Sequence, residues 1–151
     1  MTERTLIALA VVAGFALAVA LGRRWYEWRN ARIEARLRAV TSAAPASGQP
    51  RVVYFTTKTC VICKVQQEPA LTALAERIPD LRIDRHDAVA ATDLAKEYGV
   101  LSVPTTAVYD RAGALVTINR GFTPAAILLA QIEGRTPDLE GGAEMGSEFV
   151  A

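Results

Sequence analysis

The chain contains only two cysteines, Cys60 and Cys63, three residues apart in the stretch TKTCVICKVQQEPAL that runs from Thr57 to Leu71. Two thiols at this spacing can hold a metal or cycle between dithiol and disulfide. Structural zinc takes four ligands. The chain offers two cysteines and one histidine, His86, so no metal is expected and His86 reads as an ordinary polar residue near a strand end. Redox work follows from the local context. Cys60 is expected where a strand gives way to a helix, among free N–H groups and the positive end of the helix dipole. That position favours a thiolate, hence a nucleophile near neutral pH. Cys63 lies one turn further on, placed to attack a mixed disulfide formed at Cys60. Cys60 is therefore the expected nucleophile and Cys63 the resolving thiol. Lys58 and Lys64 add positive charge nearby, although exposed lysines contribute little.

These residues need a strand before them and a helix after them. RVVYFT, 51–56, is a short apolar, β-branched and aromatic run, which predicts a buried strand. Val65, Leu71, Leu74, Ala75 and Ile78 then follow helical spacing over 61–77, with Pro69 expected to kink that helix. A second strand is expected over 81–86 and a short helix over 88–98, closed by Gly99. Strands at 105–109 and 115–119 flank the turn Asp110-Arg111-Ala112-Gly113, which predicts a hairpin. The last helix is expected over 124–133, with Thr123 as its cap and Pro124 as its first residue. The order β-α-β-α-β-β-α predicts an α/β fold with a mixed four-stranded sheet covered by helices.

Ahead of this unit lies TLIALAVVAGFALAVALG, 18 residues between Arg4 and Arg23 without a charge. As a helix it spans about 27 Å at 1.5 Å per residue, close to the hydrocarbon thickness of roughly 30 Å. A small domain has no core able to surround a helix apolar on every face, so a transmembrane anchor over 5–22 is expected. Trp25, Tyr26 and Trp28 stand where interfacial aromatics belong. A cleaved signal peptide is the rival reading, on Ala18-Val19-Ala20, but MTER is a weak start for one. The six arginines at 23, 24, 29, 32, 36 and 38 follow the apolar run. The positive-inside rule then places the domain on the cytoplasmic side, with an outward-facing domain as the alternative. Residues 23–40 read as a basic juxtamembrane helix, either a solvated stalk or a face resting on anionic lipid. Residues 41–50 read as a linker, 51–134 as the globular domain, and 135–151 as an acidic disordered tail.

Net charge is +1. There is no nucleotide loop, no flavin motif and no basic patch with nucleic-acid logic, and the arginines have a membrane explanation.

Three blocks together resemble the thioredoxin family, over about 51–134. They are VVYFTTKTCVICK at 52–64, LAKEYGVLSVPT at 94–105, and the hairpin with Gly113 in its turn and Gly121 after its second strand. The resemblance implies a thioredoxin-like fold reduced at its N-terminus and a cis peptide before Pro104. It also implies a substrate chain pairing with the backbone of Val103, next to Pro104 and Thr105. Val61, Ile62 and Lys64 would flank the redox pair. The sequence departs from the family pattern at several points. Thr59 replaces a tryptophan before the first cysteine, Tyr54 replaces a buried acid, and Val61-Ile62 replaces Gly-Pro. Pro69 lies six residues after the second cysteine instead of five. The first strand and helix of the family are missing, with the anchor, stalk and linker in their place.

The expected function is that of a membrane-anchored thiol–disulfide oxidoreductase acting on protein disulfides, touching lipid through 5–40. It needs no cofactor beyond the Cys60–Cys63 disulfide. Its electron donor is unknown. The alternatives are a redox-independent binding module on the same scaffold and, for an outward-facing domain, an oxidase, isomerase or cytochrome-maturation reductant. A weaker one is metal carriage by the two thiolates.

Overall fold

The computed structural model describes residues 2–42 and 48–135. All but the first residue of the tail expected at 135–151, and the middle of the linker expected at 41–50, lie outside the described residues. In chain order the elements are α1 (Thr2–Ser42), β1 (Arg51–Thr56), α2 (Glu68–Arg77), β2 (Arg82–Asp87), α3 (Thr92–Glu97), β3 (Thr105–Tyr109), β4 (Leu115–Arg120) and α4 (Ala125–Ile132). The strands form one mixed sheet in the order β2-β1-β3-β4. β1 and β2 run parallel through the α2 crossover, whereas β3 pairs antiparallel with both β1 and β4. This is the mixed four-stranded sheet that the order of elements predicts, in the thioredoxin-like arrangement that the resemblance implies.

Helices cover both faces of the sheet, which explains why β1 reads as an unbroken apolar run rather than an alternating one. Val52, Tyr54 and Val108 point to one face, against Leu71 and Leu74 of α2 and Leu128 and Ile132 of α4. Val53, Phe55, Ala107 and Tyr109 point to the other, against Ala95 and Tyr98 and against Leu37 of α1. The Tyr98 and Tyr109 hydroxyls share a hydrogen bond of 2.6 Å in that second layer. Burial pushes the Tyr109 phenol up, and the bond to Tyr98 adds to the shift. β2 is one of the two edge strands and is only partly covered.

The contribution of α1 to the core revises the reading of 23–40 as a stalk. Its 41 residues form one continuous helix. Ile7–Ala39 contains a window of mean hydropathy 1.8, none of it buried, which is long and apolar enough to cross a membrane. Towards its C-terminal end the same helix docks. Leu37 is 5% exposed and Ile33 packs beside it. Both project from one side of the helix, four residues apart. Gly99, at φ +64°, leaves the space into which Ile33 fits, since a Cβ there would come within 2.5 Å of Ile33 Cδ1. α1 therefore supplies a helix on this face of the sheet, where the sequence had suggested that the family's first helix was missing.

Candidate functional site

Cys60 ends the short turn after β1, and Cys63 lies in the first turn of the helical run that starts at Val61 and becomes α2. The two form a disulfide with an S–S distance of 2.14 Å and Cα atoms 5.3 Å apart. Their environments differ. Cys63 is fully buried among Tyr54, Leu71 and Leu128, whereas Cys60 is half-buried at the surface. The Cys63 backbone N–H donates to Cys60 Sγ at 3.2 Å. A donor aimed at that sulfur stabilises it most when it carries charge, which favours the thiolate of Cys60 in the reduced state. The geometry thus pairs an accessible, donor-stabilised sulfur with a buried one.

The helical run is irregular just before Pro69, where the sequence predicts a kink. Residues Cys63–Gln67 form a π-helical turn, with the Glu68 N–H donating to the Cys63 carbonyl, before the α-helix resumes. A π-turn accommodates one extra residue within a helix. That is the one residue by which the Cys63-to-Pro69 spacing exceeds the family pattern, and Pro69 then sits in the first turn of α2, where a missing N–H is tolerated.

The peptide between Val103 and Pro104 is cis. Pro104 is buried, and Cys60 and Val103 both pack against the cluster that contains Cys63. Pairing between β1 and β3 ends at Phe55 and Thr105, so Val103 lies beyond the last paired residue. The Thr105 hydroxyl donates to the Ser102 carbonyl at 2.8 Å and the Gly121 N–H to the Pro104 carbonyl at 2.8 Å. Of the flanking residues, Val61, Ile62 and Lys64 are exposed. His86 sits apart on β2, its ring 5.7 Å from Phe55.

One participant escaped the sequence reading. Gln67 is fully buried, and its side-chain amide clamps the backbone of Thr123. Its Nε2 donates to the Thr123 carbonyl at 3.1 Å, and the Thr123 N–H donates to its Oε1 at 3.0 Å. This corrects the assignment of Thr123 as the cap of α4. Pro124 holds the N-cap position, without a side-chain cap bond, and Thr123 is buried under the clamp. The clamp binds the loop before α4 to the helical turn after Cys63, and the Gly121 bond ties that loop to Pro104. The one signal for Gln67 was the long spacing to Pro69.

Tyr54 stands where the resemblance implies a buried acid. It is fully buried, and its hydroxyl has no partner at hydrogen-bond distance. Burial pushes its phenol up, with a partial offset from the nearby Thr56 side chain. Where a carboxylate could take a proton from a buried thiol, this neutral phenol cannot do so near pH 7.

A family profile for the thioredoxin-like domain matches residues 37–135, beginning within α1 at Leu37. Among solved structures, mitochondrial thioredoxin 3 from Saccharomyces cerevisiae, in its oxidized form, is 28% identical. Its match covers 66% of this chain and 88% of that one, with a TM-score of 0.51. A mutant thioredoxin from Halobacterium salinarum is 27% identical, covering 60% of this chain and 78% of the other, with a TM-score of 0.52. A thioredoxin-2 described as a component of malaria parasite protein secretion machinery is 22% identical, covers 58% and 84%, and shares the fold with a TM-score of 0.52. No curated protein gives a significant match.

Proposed function

The chain belongs to the thioredoxin-like domain family, and on that premise we propose that it is a membrane-anchored protein-disulfide reductase. A thioredoxin-like domain with a close Cys60–Cys63 pair is consistent with thiol–disulfide oxidoreductase chemistry. The observation that carries the proposal is the asymmetry of the pair: an accessible Cys60 held by the Cys63 N–H, with Cys63 buried behind it.

In the reduced protein the Cys60 thiolate attacks one sulfur of a substrate disulfide. The substrate S–S bond breaks, one substrate thiolate leaves and takes a proton from water, and a mixed disulfide joins Cys60 to the substrate. Cys63 then loses its proton, and its thiolate attacks Cys60 Sγ. The second substrate thiol is released and the Cys60–Cys63 bond forms. The substrate gains two electrons and two protons, and an external dithiol donor must return them to the pair. Val103 offers its backbone to the substrate chain beyond the end of the β1–β3 ladder. Pro104 presents a surface without an N–H to compete for the sulfurs, and Thr105 fixes the start of β3. Val61 and Ile62 supply apolar contact.

The apolar N-terminal part of α1 supports an anchor. The arginines that follow it support a cytoplasmic domain, where a reducing compartment makes reduction the natural direction. Equilibration of the full-length protein with glutathione tests the direction. A potential near or below about −250 mV marks a reductant, since thioredoxin lies near −270 mV, whereas a value above about −180 mV would mark an oxidant or isomerase and overturn the proposal.

A further inference from the structure

We propose that α1 aims the domain as well as anchoring it: the sheet end that carries Cys60 faces the bilayer, and the substrate is a disulfide in the juxtamembrane segment of a membrane-embedded protein. This rests on the redox role and on α1 as the anchor.

The direction follows from two contacts with β4. Arg120, at the C-terminal end of β4, donates from Nη1 to Glu34 Oε1 at 3.3 Å. Arg38, one turn further along α1, donates to the carbonyls of Leu115 and Val116 at the other end of β4, at 3.2 and 2.7 Å. α1 and β4 therefore run antiparallel. Strand register carries the direction across the sheet: Arg120 lies opposite Thr105, and Thr105 opposite Phe55. The C-terminal end of β1, which leads into Cys60, is thus level with Glu34, on the side from which the apolar part of α1 approaches. The 110–113 turn lies at the far end.

The height follows from helix geometry. α1 is exposed through Trp28 and becomes half-buried at Arg29 and Asn30, where it meets the domain. From Gly22, the last residue of the apolar run, to Arg29 is a rise of roughly 10 Å at 1.5 Å per residue. The headgroup layer takes up roughly 5–7 Å on each side of the hydrocarbon. Neither glycine nor proline occurs in residues 23–42, so the helix has no evident hinge between anchor and domain.

The surface gives an independent sign. Outside α1, the exposed large hydrophobics among the described residues are Val61, Ile62, Val65, Val89, Leu101 and Phe122, between 43 and 74% exposed. All six lie at the Cys60 end of the sheet: Val61, Ile62 and Val65 on the helical run that follows β1, and Val89, Leu101 and Phe122 in the segments that follow β2, precede β3 and follow β4. An apolar rim around a redox pair, a few ångströms above the headgroups, fits an apolar chain segment emerging from the bilayer. The gap is too shallow for a folded globule.

The test uses the full chain in liposomes. A fluorophore is placed on Cys60 in the Cys63→Ser variant, or on Ala112→Cys in a background of Cys60→Ser and Cys63→Ser. Energy transfer to acceptors on the lipid headgroups is expected to be stronger from position 60 than from position 112. Equal or reversed transfer overturns the orientation, whatever the activity. Next, seven residues of helix are inserted between Glu27 and Trp28, which lifts the domain about 10 Å while drifting only about 20° in helical phase. Reduction of a single-span peptide with a disulfide beside its apolar stretch is expected to fall at least fivefold, with reduction of a short water-soluble disulfide peptide unchanged. A loss on both substrates, or on neither, overturns the juxtamembrane substrate. A native chain that reduces neither substrate overturns the redox role instead and leaves the energy-transfer result standing.

Discussion

The two ends of the sheet are closed by different chemistry. At the end away from the cysteines, charges do the closing. Asp84 accepts from Arg51 at 2.6 Å and from Arg82 at 2.9 Å, tying the starts of β1 and β2 together. Arg111 of the hairpin turn pairs with Asp80. The concavity there, about 620 Å³, is lined by Arg111 and Asp80 among others and holds neither cysteine. At the Cys60 end one ion pair, Arg120 with Glu34, docks α1, but the three loops are joined by backbone bonds and one buried amide, Gln67, while apolar side chains stay exposed around a buried sulfur. An end that only has to close can be polar and solvated. An end that must receive another chain leaves apolar surface uncovered and takes its rigidity from within. A smaller groove of about 250 Å³, between Thr57, Val103 and α3, opens on that second end.

The contrast fails first if the cysteines are dispensable. Cys60→Ser is expected to lower disulfide reduction by roughly 100-fold or more, and Cys63→Ser to accumulate a Cys60-linked mixed disulfide visible on non-reducing gels. Turnover that survives Cys63→Ser unchanged would sink the two-thiol mechanism. Next in size is the internal brace. Gln67→Leu leaves the buried N–H and carbonyl of Thr123 without partners, at a cost of roughly 2–3 kcal/mol. Denaturant unfolding should show that loss, with activity falling more than melting temperature alone explains.

The charged end should respond less, and with a pH signature. Burial works against ionisation of Asp84, but the bonds from Arg82 and Arg51 outweigh it and hold its carboxyl below the usual range. A depressed folded pKa contributes stability that is present above the unfolded value and lost as pH falls through the folded one. Asp84→Asn should therefore cost about 1 kcal/mol at pH 7, and the gap to the native protein should close as pH falls below about 4. The smallest effect is expected at Arg111→Ala, which removes an exposed pair. Its melting temperature and its activity should match the native protein; a clear loss of activity would mean the far end takes part in function.

What was legible in the sequence follows the same division. Elements announced by their own residues were readable: the apolar run before Cys60, the helical spacing after it, the turn around Gly113. Interactions that join distant segments were not. Gln67 looks like any polar residue on a helix until Thr123 comes to meet it. Thr123 before Pro124 has the pattern of a helix cap, and only the clamp reveals a different partner. Ile33 and Leu37 share one face by their spacing, yet a basic helix after an apolar run reads equally well as a stalk, because the sheet they cover lies many residues away.

The double duty of α1 bears on how this protein can leave its membrane. Its tether and part of its core are one helix, with Leu37 buried under the sheet and Ile33 seated against Gly99. Severing the chain near Trp25 would shed a domain with every core side chain in place. Severing it beyond Leu37 would shed one with a hole, at a cost of the order of the 2–5 kcal/mol of a buried leucine deletion. A fragment beginning at 24 should therefore melt well above one beginning at 41. Proteolytic shedding could yield either a working soluble enzyme or a short-lived one, and a few turns of helix decide between them.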